Sequence, residues 1–240
     1  MKQQMSAYTA QDQLVWKTLF ERQEANLKGK VSSEYMDALL AMKPVMHAHA
    51  VPNFQEVDEW FASSTGWKIE VVPGLIPVDE FFRLLAEKRF SSSTWLRRMD
   101  QLDYLEEPDM FHDTFGHIPL LSNPVFSDFM QTFGELGCHV QHNTEQLLAL
   151  QRLYWFTIEF GMLKGEQPLI YGAGIISSFG ETNRAISTEV EHRAFQLEEV
   201  LQEPFRTDVV QEHYSCIESF DVLFQSIQQL QEKWTCLIGN

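Results

Sequence analysis

The stretch Leu153-Tyr154-Trp155-Phe156-Thr157-Ile158-Glu159-Phe160-Gly161-Met162-Leu163 contains a single side chain that is charged at neutral pH, Glu159. Set among Phe156, Ile158, Phe160, Met162 and Leu163, this carboxylate is expected to be buried, and burying it unpaired costs several kcal/mol. Any fold open to this chain therefore has to bring a cation or hydrogen-bond donors to Glu159.

The stretch Glu107-Pro108-Asp109-Met110-Phe111-His112-Asp113-Thr114-Phe115-Gly116-His117-Ile118-Pro119 offers the partners. Five residues of an ideal α-helix rise about 7.5 Å and turn by about 140°, so His112 and His117 cannot share one α-helical face. Both reach one ion if the helix ends between them. Pro108 suits a first helical turn, Gly116 suits the left-handed position past a helix end, and Pro119 forbids continuation. His112 is then expected in the last turn and His117 in the loop. Two imidazoles and a carboxylate are the facial ligand set of non-haem Fe(II) oxygenases. They serve zinc hydrolases equally well, so ligand chemistry leaves the metal open.

Three segments in this order, 107–117, 154–161 and Tyr171-Gly172-Ala173-Gly174-Ile175-Ile176-Ser177-Ser178-Phe179-Gly180-Glu181, resemble the signature segments of the aromatic amino acid hydroxylases. Upstream, Pro73-Gly74-Leu75-Ile76-Pro77-Val78-Asp79-Glu80-Phe81-Phe82, followed by Trp95-Leu96-Arg97, resembles the short bacterial branch of that family, which acts on phenylalanine. The likeness runs from near Tyr8 to near Phe224. It implies a mainly α-helical, basket-like catalytic domain with a small β element. It also implies Fe(II), tetrahydrobiopterin or a related tetrahydropterin, and hydroxylation of L-phenylalanine to L-tyrosine with O2.

The resemblance further implies roles for single residues. His112, His117 and Glu159 become the catalytic iron ligands, with Tyr154 beside them. Arg97 receives the substrate carboxylate and is held by Asp109. A guanidinium fork suits that task, although Arg97 also reads as a solvated neighbour of Arg98. Trp155 walls the substrate ring, while Ser177 and Glu181 support the substrate site. Gly74, Leu75 and Ile76 present backbone groups to the pterin, Phe81 stacks on it, and Asp113 faces it through water. The longer animal relatives carry Glu where this chain has Asp113, Arg where it has Asp79, and Thr-Pro where it has Leu105-Glu106. The substrate's amino-group contact is therefore not carried over, and Glu106 offers a negative charge in its place. Two alternatives stand beside this reading: hydroxylation of tryptophan or tyrosine, or a catalytically silent metal- or pterin-binding regulator. Trp155 favours phenylalanine or tyrosine over tryptophan, and the intact ligands with Arg97 and Asp109 favour an enzyme.

At 240 residues and 44% hydrophobic content, the chain supports one large domain spanning 1–240. A regulatory domain and a terminal tetramer-forming coil have no room, so a monomer is expected. A formal net charge of -16 argues against nucleic acid and anionic membranes as partners, and small molecules fit better. With no apolar run of about 18 residues and no signal-peptide core, a cytoplasmic location is expected. Cys138, Cys216 and Cys236 are odd in number and scattered, which predicts reduced thiols. The cluster Cys138-His139 with His142 lacks a fourth zinc ligand and reads as an exposed turn, and His47 and His49 read as surface or packing. Gly172-Ala173-Gly174 lacks the lysine of a phosphate loop.

Periodicity predicts helices over about 11–27, from Ser33 to before Pro44, over about 57–63 and over 79–88. A strand is expected over 67–72, and a turn at Ser91-Ser92-Ser93. A helix after Pro124 should stop near Gly134 to Gly137, and one long helix should carry 147–163. Further helices are expected in the final third.

Overall fold

The computed structural model describes residues 1–235 apart from Tyr104, Glu106 and Asp208, so Glu106 and Cys236 lie outside the described residues. Helix α1 (Ala10–Asn26) is closed by a capping box in which the Asp12 N–H donates to Thr9 Oγ1 at 3.2 Å and the Thr9 N–H donates to Asp12 at 2.7 Å. Gly29, at φ 73°, turns the chain toward α2 (Ser33–Ala41). Helix α3 (Phe54–Phe61) starts three residues before the expected position, because Asn53 caps it through the Gln55 N–H at 3.1 Å. Strand β1 (Lys68–Val71), α4 (Val78–Ala86) and β2 (Arg89–Ser92) follow, with β1 and β2 parallel. Ser91 and Ser92 are thus strand residues rather than a turn; pairing with β1 overrides the local serine signal.

Helix α5 (Pro124–His139) runs through Gly134 and Gly137 instead of stopping there. These glycines are packing residues. A Cβ on Gly134 would lie 2.3 Å from the Ala86 backbone nitrogen, and one on Gly137 would lie 2.1 Å from the Phe82 ring, so only glycine lets α5 close on α4. The long helix expected over 147–163 is likewise three elements. Helix α6 (Thr144–Tyr154) passes into a π-helical turn at Trp155–Glu159, and the chain then forms β3 (Met162–Leu163). The Phe160 N–H reaches back five residues to the Trp155 carbonyl at 3.0 Å. Beyond lie β4 (Leu169–Ile170), α7 (Ala173–Ile176), α8 (Phe179–Ala185), β5 (Glu191–Ala194), α9 (Leu197–Val200), β6 (His213–Ile217) and α10 (Phe220–Thr235).

The four-stranded sheet has the order β4-β3-β6-β5, with β6 parallel to both neighbours. One apolar core extends from Val15 to Trp234. Aromatic rings join its N-terminal part to the stretch 110–117, with Trp16 on Phe111 at 5.6 Å, Phe20 on Phe115 at 5.1 Å, and Phe111 stacked on Phe115 at 4.7 Å. The mainly helical architecture with small sheets is the expected one. Among the described residues, no helix is long and apolar enough to cross a membrane.

Candidate active site

The helix that begins at Met110 does not end between the two histidines. It continues as a π-helical turn over His112–His117. A π turn closes its hydrogen bonds from residue i to i+5, one residue more than an α turn, so residues five apart come to one side. The widened turn places His112 Nε2 and His117 Nε2 3.3 Å apart. Side chains bond carbonyls in and beside this turn: buried Tyr35 donates its hydroxyl to the Phe115 carbonyl at 2.6 Å, and Thr114 Oγ1 donates to the Met110 carbonyl at 2.6 Å.

Glu159, at the end of the second π turn, completes the group. Its Oε1 lies 3.1 Å from His117 Nε2 and its Oε2 lies 3.7 Å from His112 Nε2. Ligands about 2.1 Å from one ion are about 3.0 Å apart at right angles and about 3.4 Å apart in a tetrahedron, so the two spacings at His117 suit a single cation, and the His112 to Glu159 spacing is slightly wider. It is the one such set of three donors among the described residues, and the Cys138 and His47 clusters form none.

The protonation states agree with metal binding. Ser177 Oγ donates to the Ala173 carbonyl at 2.8 Å and so accepts from His112 Nδ1 at 2.8 Å, which leaves the lone pair on Nε2 facing Glu159. Burial lowers the His112 imidazole to about 4, which keeps it neutral at physiological pH. Burial would raise the Glu159 carboxyl, but His117, His112 and the Tyr154 hydroxyl together hold it down as an anion.

The trio lines a cavity of about 350 Å³. Gly74, Leu75, Ile76 and Phe81 border it, as do Tyr154, Trp155 and Asp113. Phe81 meets the Tyr154 ring edge-on at 5.2 Å, and Tyr154 lies parallel to His117 at 6.2 Å. Asp113 accepts the Ser93 N–H at 2.9 Å, and burial pushes its carboxyl up to about 7.

Residues 3–236 match the model of a family described as biopterin-dependent aromatic amino acid hydroxylase. The chain belongs to that family. Phenylalanine-4-hydroxylase of Ralstonia nicotianae is 44% identical over 94% of this chain and 72% of its own length. A structure of phenylalanine hydroxylase from Chromobacterium violaceum with bound iron(III) and 7,8-dihydrobiopterin is similar at a TM-score of 0.88 and 40% identity, covering 97% of this chain and 86% of that one. The apo structure of the cold-active phenylalanine hydroxylase from Colwellia psychrerythraea gives a TM-score of 0.87 at 38% identity, covering 96% and 90%.

Four residues singled out in the sequence do not line the cavity of this hydroxylase. Arg97, 7% exposed, donates from Nε and Nη2 to the two oxygens of fully buried Asp109, at 2.9 and 2.8 Å. Asp109 also accepts the His112 N–H at 3.1 Å, so the ion pair braces the backbone of His112. Ser177 sits behind His112. Glu181 accepts the Tyr214 hydroxyl and the Gln211 N–H, away from the trio, and burial raises its carboxyl. The sequence reading missed Phe205 and Phe90, which also line the cavity. Phe205 stacks on Trp155 at 5.0 Å and Phe90 packs on His117 at 4.7 Å. Phe90 is the one apolar residue of β2, beside serines that read as a turn. Phe205 lies in an irregular connection whose local sequence carries no periodicity.

Proposed function

We propose that this hydroxylase converts L-phenylalanine to L-tyrosine, with iron held by His112, His117 and Glu159. What carries this reading is a two-histidine, one-carboxylate trio, with donors 3.1–3.7 Å apart, lining an aromatic-walled cavity. Phenylalanine is favoured over tyrosine by the relatives. Bacterial phenylalanine-4-hydroxylases are 38–44% identical to this chain, against 30–32% for the tyrosine 3-monooxygenases of fly and dog. When bound, iron and tetrahydropterin together supply O2 activation and the two electrons that aromatic hydroxylation needs.

The chain's own residues bind, orient and exclude water. Phe81 and the Gly74-Leu75-Ile76 loop hold the pterin, and Asp113 addresses it through water. Trp155 and Phe205 wall the substrate ring. The remaining Arg97 amino group, 3.5 Å from the Leu102 carbonyl, is weakly held and is the donor left for the substrate carboxylate. Ser177 fixes the His112 tautomer, Tyr154 holds Glu159 by its hydroxyl, and Glu181 anchors the surrounding polar network. We read the chain as one catalytic domain working as a cytoplasmic monomer. The continuous core and the acidic surface support that reading.

Anaerobic loading with Fe(II), followed by phenylalanine, tetrahydropterin and O2, tests the proposal by amino acid analysis. Tyrosine should form in near equality with oxidised pterin, and faster than any product from tryptophan or tyrosine. Absence of tyrosine from iron-loaded protein overturns the assignment. A single monomeric peak in size-exclusion chromatography tests the oligomeric reading.

A further inference from the structure

The connection from α9 to β6 is exposed at Val209 and Val210, yet the next residue, Gln211, is only 7% exposed. Every polar group of Gln211 has a partner. Its N–H donates to the Glu181 carboxylate, and its carbonyl accepts from Arg184 Nε at 3.0 Å. Its side-chain Nε2 donates to the Val209 carbonyl at 3.3 Å, and its Oε1 accepts the indole N–H of Trp155 at 3.0 Å. An indole nitrogen only donates, so the amide can meet it only with its oxygen. The Trp155 ring also packs against two aromatic rings, with Phe205 stacked at 5.0 Å and 24° and Phe160 at 4.6 Å and 44°. Stacking tolerates sliding and rotation of one ring over another, whereas a hydrogen bond to the ring edge fixes its angle.

We infer that Gln211 is a positioning residue for the substrate ring: it sets the angle of Trp155, and thereby the face that the cavity presents to phenylalanine. Gln211 itself does not line the cavity, so it acts through Trp155. The backbone of Gln211 is clamped by Glu181 and Arg184 independently of its side chain. A side-chain substitution therefore leaves the connection in place and releases the indole alone. The inference rests on the phenylalanine reading given above.

Gln211→Met keeps the volume and removes the strong acceptor, leaving a buried indole donor unpaired. In the iron-loaded enzyme it should raise both the Kd of phenylalanine by calorimetry and the KM for phenylalanine by about tenfold. Tyrosine formed per pterin oxidised should fall, while bound iron and the KM for tetrahydropterin stay within about twofold of wild type. Gln211→Glu retains the acceptor and should keep the phenylalanine KM within about threefold. In a Trp155→Phe background, where no indole donor remains, Gln211→Met should add nothing further. Unchanged phenylalanine affinity in Gln211→Met overturns the inference. So does an equal rise in both KM values, a tenfold loss in Gln211→Glu, or the same increment without the indole. If wild type forms no tyrosine, the reaction assignment fails; if wild type is active and Gln211→Met matches it, only the positioning role fails.

Discussion

Ser177 contributes one hydroxyl, and that hydroxyl decides which nitrogen of His112 is free to ligate. Because its proton is committed to the Ala173 carbonyl, it must accept from His112 Nδ1. Partners of this kind behind a metal-bound histidine are typically worth about 10–100-fold in metal affinity. Ser177→Ala should therefore weaken metal binding by about that factor with little loss of helical signal, as measured by competitive metal titration. Arg97 is a different case. Asp109 is fully buried and takes three donors from Arg97, the backbone N–H, Nε and Nη2. Removing one partner of such a pair costs about 3–5 kcal/mol. Arg97→Ala should lower the thermal midpoint accordingly and also reduce bound metal, since Asp109 supports the His112 N–H. Arg97→Lys keeps the charge, loses the fork and should fall between the two. Thermal unfolding, metal content and phenylalanine affinity measured together separate the structural role from the substrate contact.

At the scale of elements, the two π turns bring His112, His117 and Glu159 together. In His112–His117 the extra residue per turn brings two histidines together that an α-helix would hold about 140° apart. In Trp155–Glu159 a second widened turn brings Glu159 to them at the end of α6. Such turns hold fewer ideal hydrogen bonds, so their surroundings must support them. Tyr35 in α2 does this through a fully buried bond to the Phe115 carbonyl. Tyr35→Phe would leave that carbonyl without its donor at a cost of about 1–3 kcal/mol. The expected result is a lower thermal midpoint together with weaker metal binding, read by calorimetry and metal titration. Unaltered metal affinity would mean that the π turn holds its shape without α2.

For the whole molecule, a metal held by the proposed trio would cross-link distant parts of the chain, 112–117 and 155–159. An ion that binds only the folded trio stabilises the native state by mass action. At a free concentration 100 times Kd, that amounts to about 2.7 kcal/mol. Chelation should lower the unfolding temperature, and restoring Fe(II) or Co(II) should raise it with increasing concentration in scanning calorimetry. The same treatment of His117→Ala should give no metal-dependent shift.

Much of this is legible in the sequence. A lone carboxylate among apolar neighbours demands partners, and the histidines between Pro108 and Pro119 can supply them, while the resemblance to the hydroxylases is what singles out His112, His117 and Glu159 together as iron ligands. The helix over about 11–27 and the strand over 67–72 are equally local. The tertiary structure decides what local signals cannot. Gly134 and Gly137 read as helix stops, but α5 passes through them because α4 leaves no room for a Cβ. Ser91 and Ser92 read as a turn, but β1 recruits them into a strand. The helix widens rather than ends at His112–His117, and Tyr35, eighty residues from Phe115 in the chain, bonds the Phe115 carbonyl within that turn. Phe205 and Gln211 meet Trp155 from 50 and 56 residues further along the chain, contacts that no local signal announces. Local sequence sets which groups need partners; long-range packing chooses the partners, because the energy of satisfying a buried polar group is gained only where the whole chain closes around it.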